Sequence, residues 1–316
     1  MIIEIVLILI GFVMLIKGAD ILVDGSSAIA KKMRISEIII GLTIVSIGTS
    51  MPELFVSTSS ALQGLSDISI GNVIGSNICN LLLILGLSAI IHPVKFQKET
   101  VKIENPMSII LTIIFFILCN INQNVTRIEG ALLIILFIGF LIYTIIMGKK
   151  SQDEVILQLA LEETKKISFT KNILLIILGI AVLKLGGDLV VDNAKLVATA
   201  LNISEKVIGL TIVAIGTSLP ELVTSVTAAI KGDSDIAIGN IIGSNLFNFL
   251  LIIGVTSFIQ PITFNPIYNI DLSILLVATT LLALFPHIPP KKQMSRINGM
   301  IYFAMYFGYM AILFNV

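Results

Sequence analysis

The chain has 316 residues, of which 56% are hydrophobic and only 13% are charged, and its mean hydropathy is +1.04. A soluble domain carries about 25% charged residues, so this composition excludes an ordinary water-soluble fold and predicts a membrane protein. The 20 basic and 20 acidic side chains balance, which excludes the basic surplus of a nucleic-acid-binding protein. Two cysteines and two histidines are too few for a disulfide scaffold or for a membrane-embedded hydrolase that depends on histidine.

Ten apolar runs are candidate membrane spans, for which a helix needs about 20 mostly apolar residues. They predict an all-α polytopic membrane protein with ten transmembrane helices. In chain order, the predicted spans are residues 2–24, 37–62, 68–91, 106–121, 128–147, 171–193, 205–230, 236–260, 267–285 and 297–314.

The basic residues outside these spans are distributed unevenly between the two sides of the membrane. If successive loops alternate, 15 of the 20 Lys and Arg residues lie on one side, and only Arg127, Lys195 and Lys206 lie on the other. Lys and Arg concentrate in the cytoplasmic loops of membrane proteins. We therefore expect a cell-membrane protein with both termini outside, in which residues 148–170 form a short cytoplasmic linker.

The sequence repeats itself at a fixed offset of 168 residues. Between 36–80 and 204–248, 29 of 45 positions are identical without a gap. Each half of the chain contains five predicted spans, and because five is odd, the second copy enters the membrane from the opposite side. Such inverted-topology repeats are typical of secondary transporters, in which equivalent residues meet near the middle of the membrane. Channels can share this symmetry.

The domain organisation follows from this repeat. Residues 1–147 form the first five-helix repeat and 171–316 the second, within one integral membrane domain. The strongest matches between the copies are the segments 41–80 and 209–248, and we expect the functional site there.

Glu53 and Glu221 hold the same position in the two copies, within GTSMPEL and GTSLPEL. An ionised carboxylate inside an apolar span costs several kcal/mol unless it is compensated. The basic residues within the spans, Lys17 and Lys184, each have an aspartate at helical spacing, such as Asp20 for Lys17. The two glutamates therefore need a cation from elsewhere. The alternative is a protonated, hydrogen-bonded pair that ties helices together.

Neutral oxygens accompany both glutamates. Pro52 and Pro220 interrupt the spans and free backbone carbonyl groups. Hydroxyl and amide oxygens come from Thr49, Ser50, Ser76 and Asn80 in the first copy and from Thr217, Ser218, Ser244 and Asn248 in the second. Ser76 and Asn80 share one helical face, whereas Asn77 points elsewhere and is open between packing and function.

These residues predict an all-oxygen site with two formal negative charges. Hard cations such as Ca²⁺ and Na⁺ prefer such ligands. Neither His nor Cys converges with the glutamates in both copies, since Cys79, between Ser76 and Asn80, is matched by Phe247, and this argues against zinc, copper or iron. Two carboxylates balance one Ca²⁺ or two Na⁺, and competition between these occupancies is a physical basis for exchange. Mg²⁺ and Mn²⁺ stay open as substrates.

The paired GTSMPEL and GTSLPEL blocks, followed by GNVIGSN and GNIIGSN, resemble the alpha repeats of the sodium/calcium exchanger family, in its compact prokaryotic form. The resemblance implies alternating access, in which the first and sixth helices slide across the others. It implies that Glu53 and Glu221 bind both ions and that the hydroxyl and amide residues above complete the site. It also adds the backbone carbonyls of Ser46 and Ala214.

One departure from the family pattern concerns potassium. Potassium-dependent exchangers and some prokaryotic relatives carry aspartate at the position of Asn248, whereas both Asn80 and Asn248 are amides here. The resemblance therefore implies exchange that does not depend on K⁺.

The sequence as a whole predicts a Na⁺/Ca²⁺ antiporter that exports Ca²⁺, is electrogenic and is not an enzyme. Its expected partners are the two transported ions and the lipid bilayer, without a resident cofactor, a nucleic acid or an obligate protein partner, and the functional unit is expected to be a monomer. An H⁺/Ca²⁺ antiporter that uses the same carboxylates is the alternative, followed by a cation channel.

Overall fold

The computed structural model describes residues 2–33, 35–150, 168–200 and 214–315. In these ranges the chain is helical apart from short connections. The helices are α1 (Ile2–Met33), α2 (Glu37–Thr49), α3 (Met51–Leu62), α4 (Ser66–Ile91), α5 (Thr100–Ile121), α6 (Arg127–Lys150), α7 (Phe169–Ala200), α8 (Ala214–Thr217), α9 (Leu219–Lys231), α10 (Ser234–Ile259), α11 (Pro266–His287) and α12 (Arg296–Asn315). Most of the predicted linker, and the first part of the predicted span 205–230, lie outside the described residues.

The described helices confirm a polytopic membrane protein. Seven of them have the length and apolar composition needed to cross a bilayer. The pair α2 and α3, joined at a bend of 47°, is an eighth candidate if it counts as one span. Helix α12 coincides with the last predicted span, 297–314.

Three predicted spans were clearly too short, one of them that of α7, which ends at Ala200 instead of residue 193. Helix α1 continues nine residues past the predicted end at residue 24, to Met33, because its polar last turns still pack within the protein, where Ser26 and Ile29 are buried. Helix α5 begins at Thr100 instead of residue 106, with a π-helical stretch, Thr100–Glu104. The polar residues of this stretch do not have the composition of a membrane span, and the prediction left them out. In the structure Glu104 is buried and accepts a hydrogen bond from the Tyr143 hydroxyl at 3.0 Å.

Helices α4 and α10 form the centre of the molecule. In the apolar stretch of α10, 94% of residues are buried, and in that of α4 72%, against 33% or less in the other candidate spans. Both central helices contain a π-helical stretch, Cys79–Leu85 in α4 and Asn248–Ile252 in α10. Wide turns of this kind occur often at functional sites.

Four two-residue strands, which the sequence did not predict, connect the two halves of the chain. Strand β1 (Val94–Lys95) pairs antiparallel with β4 (Gln293–Met294), and β2 (Asn124–Val125) pairs antiparallel with β3 (Ile262–Thr263). Strands β1 and β3 lie at the repeat offset of 168 residues. Each small ribbon therefore joins one half of the chain to the other, and the two joints are equivalent.

Helices α1 and α7, which are equivalent in the two copies, cross at a closely packed glycine contact. A methyl group at Gly18 would lie 2.9 Å from the Leu183 backbone nitrogen, and one at Gly179 would lie 2.9 Å from that of Leu22. Only glycine allows the two backbones to approach this closely.

Candidate functional site

The site is built on two broken helices. Ser50 ends the path of α2, and Ser218 lies between α8 and α9, with nearly identical backbone angles of φ −87°, ψ 8° and φ −89°, ψ 6°. The next helix has proline in its first turn in both cases, and Pro52 therefore offers no N–H to the carbonyl of Gly48. The breaks leave polar backbone groups at the centre of the protein.

Each break places a glutamate in the first turn of the following helix. Glu53 lies in the first turn of α3 and Glu221 in that of α9, and each side chain is only 1% exposed. The N-terminal end of a helix carries partial positive charge, which stabilises a nearby carboxylate. The helix breaks thus offset part of the cost of burying two negative charges.

The two copies exchange hydrogen bonds at these glutamates. The Ser50 hydroxyl donates to Oε1 of Glu221 at 2.8 Å, and the Ser218 hydroxyl donates to Oε1 of Glu53 at 3.5 Å. A serine before a helix usually caps its own helix, but neither of these does so. The four side chains therefore form one site made by both repeats.

Two asparagines that sequence reasoning missed support the broken helices. The amide of Asn240 accepts a hydrogen bond from the Thr49 hydroxyl at 3.1 Å and donates to the Ser225 hydroxyl at 2.9 Å. Asn72, the equivalent residue, donates to the Ser57 hydroxyl at 2.9 Å and to the Glu53 carbonyl at 3.2 Å. Their identical place in GNVIGSN and GNIIGSN was the available signal.

Four further amides cross between α4 and α10. Asn80 donates to Oδ1 of Asn245 at 3.0 Å, and Asn248 donates to Oδ1 of Asn77 at 2.8 Å. All four residues are buried. Asn77, whose role the sequence left open, and its equivalent Asn245 thus hold the amides of two predicted ligands.

Several buried oxygens have no hydrogen-bond partner among the described residues. Those that belong to predicted ligands are Oε2 of Glu53, Oε2 of Glu221, Oδ1 of Asn80, Oδ1 of Asn248 and the Ser244 hydroxyl. A buried polar atom without a partner is costly. Oxygens outside the predicted site are unpartnered as well, among them Oε2 of Glu104 and Oδ1 of Asn105, so a place for a cation is indicated by the free oxygen on both carboxylates together with their predicted ligands.

The structure places the predicted ligands as follows. Those that it buries are Ser46, Thr49, Ser50, Glu53, Ser76, Asn80, Ser218, Glu221, Ser244 and Asn248. Thr217 is half-buried, and Ala214 is the first described residue of α8. The Ser46 carbonyl accepts the backbone N–H of Ser50 at 3.0 Å and lies 3.4 Å from the Thr49 hydroxyl, so an ion at this carbonyl would compete with that hydroxyl for its second lone pair.

Neither glutamate forms an ion pair with a basic residue in the described part of the chain. Lys184 pairs with Asp188 at 2.6 Å, as the helical spacing indicates. The expected pairing of Lys17 with Asp20 was wrong, because Asp20 is paired instead with Lys231, its carboxylate 3.1 Å from Nζ. Lys231 also lies 2.8 Å from Asp24 and so bridges two turns of α1.

The donor set decides which ions this geometry fits. No cluster of three or more His, Cys, Asp or Glu side chains occurs within residues 2–33, 35–150, 168–200 and 214–315. Beyond the two carboxylates, the ligands available at the centre are hydroxyl, amide and carbonyl oxygens and one buried thiol, that of Cys79, which interacts with Ser218. Such a set is suited to a hard cation that accepts many oxygens in flexible geometry.

Comparison with known proteins agrees with this arrangement. A family model described as sodium/calcium exchanger protein matches residues 3–146 and 171–315. The sodium/calcium exchanger MaX1 of Methanosarcina acetivorans is 31% identical over 344 aligned residues, which cover 98% of each chain. The inner membrane protein YrbG of Escherichia coli (strain K12) is 34% identical over 283 residues, covering 88% of this chain and 87% of YrbG.

Solved structures are similar over nearly the whole chain. One structure of the sodium-calcium exchanger NCX_Mj, soaked with Na⁺ and Ca²⁺, has a TM-score of 0.86 and 34% sequence identity, and the match covers 98% of both chains. The family match, the relatives and this common architecture identify a transporter and not an enzyme. The chain belongs to the sodium/calcium exchanger family of multi-pass membrane antiporters.

Proposed function

We propose that this protein exports Ca²⁺ from the cell in exchange for Na⁺. The observation that carries the proposal is the pair of buried glutamates, Glu53 and Glu221, each of which has one carboxylate oxygen without a partner among the described residues. One Ca²⁺ or two Na⁺ balance their charge. Ions that compete for the same oxygens cannot both occupy the site, and this competition couples their movements.

We assign the ligands by charge and by position. Glu53 and Glu221 bind both ions. The hydroxyls and carbonyls at the helix breaks bind chiefly Na⁺, and the amides of Asn80 and Asn248 line the middle of the site. The residues that supply the neutral oxygens are Ser46, Thr49, Ser50, Ser76, Ala214, Thr217, Ser218 and Ser244.

The stoichiometry follows from the neutral ligands. Hydroxyl and carbonyl oxygens can bind sodium beyond the two ions that the carboxylates balance, and the exchange of one Ca²⁺ for more than two Na⁺ is electrogenic. The middle of the site carries amides at both Asn80 and Asn248, and without an added negative charge there, transport does not depend on K⁺.

The inverted pair of five-helix repeats provides the proposed mechanism. Helices α1 and α7, which hold each other through glycines, slide across the other helices and open the site to one side at a time. The 15 basic residues mark the cytoplasmic side, with both termini outside and the linker inside. The functional unit is one chain, because both halves of the site come from it.

The experiment is uptake of radiolabelled Ca²⁺ into proteoliposomes with Na⁺, K⁺ and H⁺ gradients imposed separately. A sodium gradient should drive Ca²⁺ flux, and the flux should respond to an imposed membrane potential. Glu53→Gln and Glu221→Gln should each abolish it while the purified protein stays folded. Flux driven by a pH gradient without sodium would favour an H⁺/Ca²⁺ antiporter, and currents far above carrier rates would favour a channel.

A further inference from the structure

The crossed amides between α4 and α10 have a consequence for how the site recognises a cation. An asparagine side chain is asymmetric, with an oxygen that attracts a cation and an NH₂ group that repels one. A buried asparagine can serve as an ion ligand only if its oxygen is turned toward the ion. Something must therefore fix the orientation of Asn80 and Asn248.

The hydrogen bonds supply this orientation. Nδ2 of Asn80 donates to Oδ1 of Asn245 at 3.0 Å, and Nδ2 of Asn245 donates to the Asn77 carbonyl at 3.4 Å. If the Asn80 amide turned over, its oxygen would face the Asn245 oxygen. Asn245 could turn with it only by giving up the bond to the carbonyl. The chain of bonds thus allows one orientation of Asn80.

The equivalent pair repeats the first of these bonds but not the second, because Nδ2 of Asn77 is buried without a hydrogen-bond partner among the described residues. Nδ2 of Asn248 donates to Oδ1 of Asn77 at 2.8 Å. In both pairs the NH₂ group of the predicted ligand is occupied, and its Oδ1 is buried without a hydrogen-bond partner in the described part of the chain. A cation would supply the partner that these two oxygens lack. Oδ1 of Asn105, outside the predicted site, is unpartnered as well, so Asn105 serves as the comparison when these positions are tested.

We infer that Asn77 and Asn245 are positioning residues, which hold the amides of Asn248 and Asn80 with their oxygens toward the transported cation. They act through these two ligands and do not touch the ion themselves. The inference rests on the proposed function, because it assumes that Asn80 and Asn248 line the ion site.

The first test is Ca²⁺ binding to the purified full-length protein by isothermal titration calorimetry. Asn245→Leu keeps the size of the side chain but removes the acceptor that orients Asn80, so the dissociation constant for Ca²⁺ should rise about tenfold. Asn245→Ala also removes the acceptor and adds no volume, so it covers the case in which leucine does not fit. It should raise the dissociation constant by the same factor. Asn77→Leu should also raise the dissociation constant for Ca²⁺, because it removes the acceptor that orients the amide of Asn248.

Asn105→Leu is the matched control. Asn105 is fully buried and donates to the Leu282 carbonyl at 3.3 Å, and it takes no part in the crossed amides. Its replacement removes a buried asparagine in the same way, so it should lower thermal stability while leaving the Ca²⁺ dissociation constant unchanged.

The decisive test repeats Asn245→Leu in an Asn80→Asp background. A carboxylate has two equivalent oxygens, so it presents an oxygen to the cation in either orientation and needs no positioning residue. In this background, Asn245→Leu should change the dissociation constant by less than about threefold. A merely structural role for Asn245 would instead reduce affinity equally in both backgrounds.

Three outcomes would overturn the inference: an equal loss in both backgrounds, an unchanged affinity in Asn245→Leu and Asn245→Ala, or a similar loss in Asn105→Leu. A wild-type protein that binds Ca²⁺ but does not exchange it for Na⁺ would contradict only the proposed function, since the binding measurements still test the positioning. A wild-type protein that binds no Ca²⁺ would contradict both.

Discussion

At the two helix breaks, each serine serves the glutamate of the other copy. Ser50 could cap α3, the helix that carries Glu53, but its hydroxyl bonds Glu221 instead, and Ser218 turns in the same way toward Glu53. Each carboxylate is therefore oriented by the opposite repeat. A shift of either break changes the position of both carboxylates, which suits a site whose ligands must form and release together.

Removal of these hydroxyls should weaken Ca²⁺ binding unequally. A hydrogen bond to a charged group contributes about 1.5–3 kcal/mol, so Ser50→Ala should raise the KM for Ca²⁺ roughly tenfold or more. Ser218→Ala should have a smaller effect, because its bond is 3.5 Å long against 2.8 Å. The measurement is initial Ca²⁺ uptake against Ca²⁺ concentration in proteoliposomes.

Ser88→Ala is the control for this comparison. Ser88 is fully buried in α4, and its hydroxyl has no partner among the described residues, so its loss should leave the KM unchanged. Equal effects of Ser50→Ala and Ser88→Ala would show that the serine at the break does not orient Glu221.

The sequence could predict some of these residues and not others. Glu53 and Glu221 were evident because a carboxylate inside an apolar run has few structural explanations, and the repeat marked them twice. Asn72, Asn240 and the role of Asn245 were not evident, because an asparagine near a helix break packs or binds according to distances between helices that sequence spacing does not contain. The crossed bonds appear only when α4 and α10 are side by side.

Among the elements, the contact between α1 and α7 depends on small residues. Gly11, Gly18 and Gly25 follow one another at intervals of seven residues along α1 and face α7. Because glycine has no side chain, the backbones touch, and the two helices form one body. If they move as proposed, they move together.

Gly18→Ala should therefore impair transport by separating these helices. The added methyl would meet the Leu183 backbone nitrogen at 2.9 Å, and overpacking of this kind costs about 1–3 kcal/mol. We expect a lower melting temperature in detergent and a lower Vmax. Gly139→Ala in α6, where a methyl group meets nothing within 4 Å, should leave transport unchanged, and a similar loss in both variants would contradict the argument.

Lys231 connects α1 to the end of α9. Its Nζ lies 3.1 Å from the Asp20 carboxylate and 2.8 Å from that of Asp24. The equivalent position in the first copy is Gln63, which cannot form such an ion pair with α7. The two sides of the molecule therefore hold α1 and α7 differently, and if these helices slide as proposed, the restraint on them is unequal.

Lys231→Met should speed transport. If α1 slides across α9 as proposed, the ion pairs break once in each cycle, and partly exposed pairs of this kind contribute about 1 kcal/mol or less. Vmax should rise by up to about fivefold, and less at high salt, where the pairs are screened. Lys184→Met, which breaks a pair inside α7 alone, is the control. An unchanged or lower Vmax in Lys231→Met alone would show that the bridge does not restrain α1.

Helix positions were largely predictable because an apolar run of span length permits few other structures in a bilayer. The predicted helix boundaries were wrong where polar residues are buried by other parts of the protein and are not exposed to lipid. The early start of α5 includes the buried Glu104, which accepts a hydrogen bond from Tyr143, and the π-helical turns of α4 and α10 lie in the two most buried spans. Composition along one segment predicts neither feature.

In the molecule as a whole, the contacts between the two halves of the chain come in equivalent pairs. The Ser–Glu bonds, the crossed amides and the two ribbons each join one half of the chain to the other in equivalent pairs. Such pairs are expected if a pseudo-two-fold axis relates the halves. From the distribution of basic residues among the loops, we propose that this axis lies in the membrane plane. Equivalent turns of the two halves then face opposite sides of the membrane.

Two equivalent turns allow this inversion to be tested directly. Gly64, after α3, and Gly232, after α9, are both exposed and have positive φ angles of 76° and 84°, so a cysteine at either position carries a similar backbone cost of about 1–2 kcal/mol. Cys79 and Cys119 are buried, and the unsubstituted chain should stay unlabelled by a membrane-impermeant thiol reagent. In intact cells Gly64→Cys should be labelled, whereas Gly232→Cys should react only after permeabilisation, because the inverted copy turns it to the cytoplasm. Labelling of both from the same side would mean that the repeats run parallel and would remove the basis for alternating access between them.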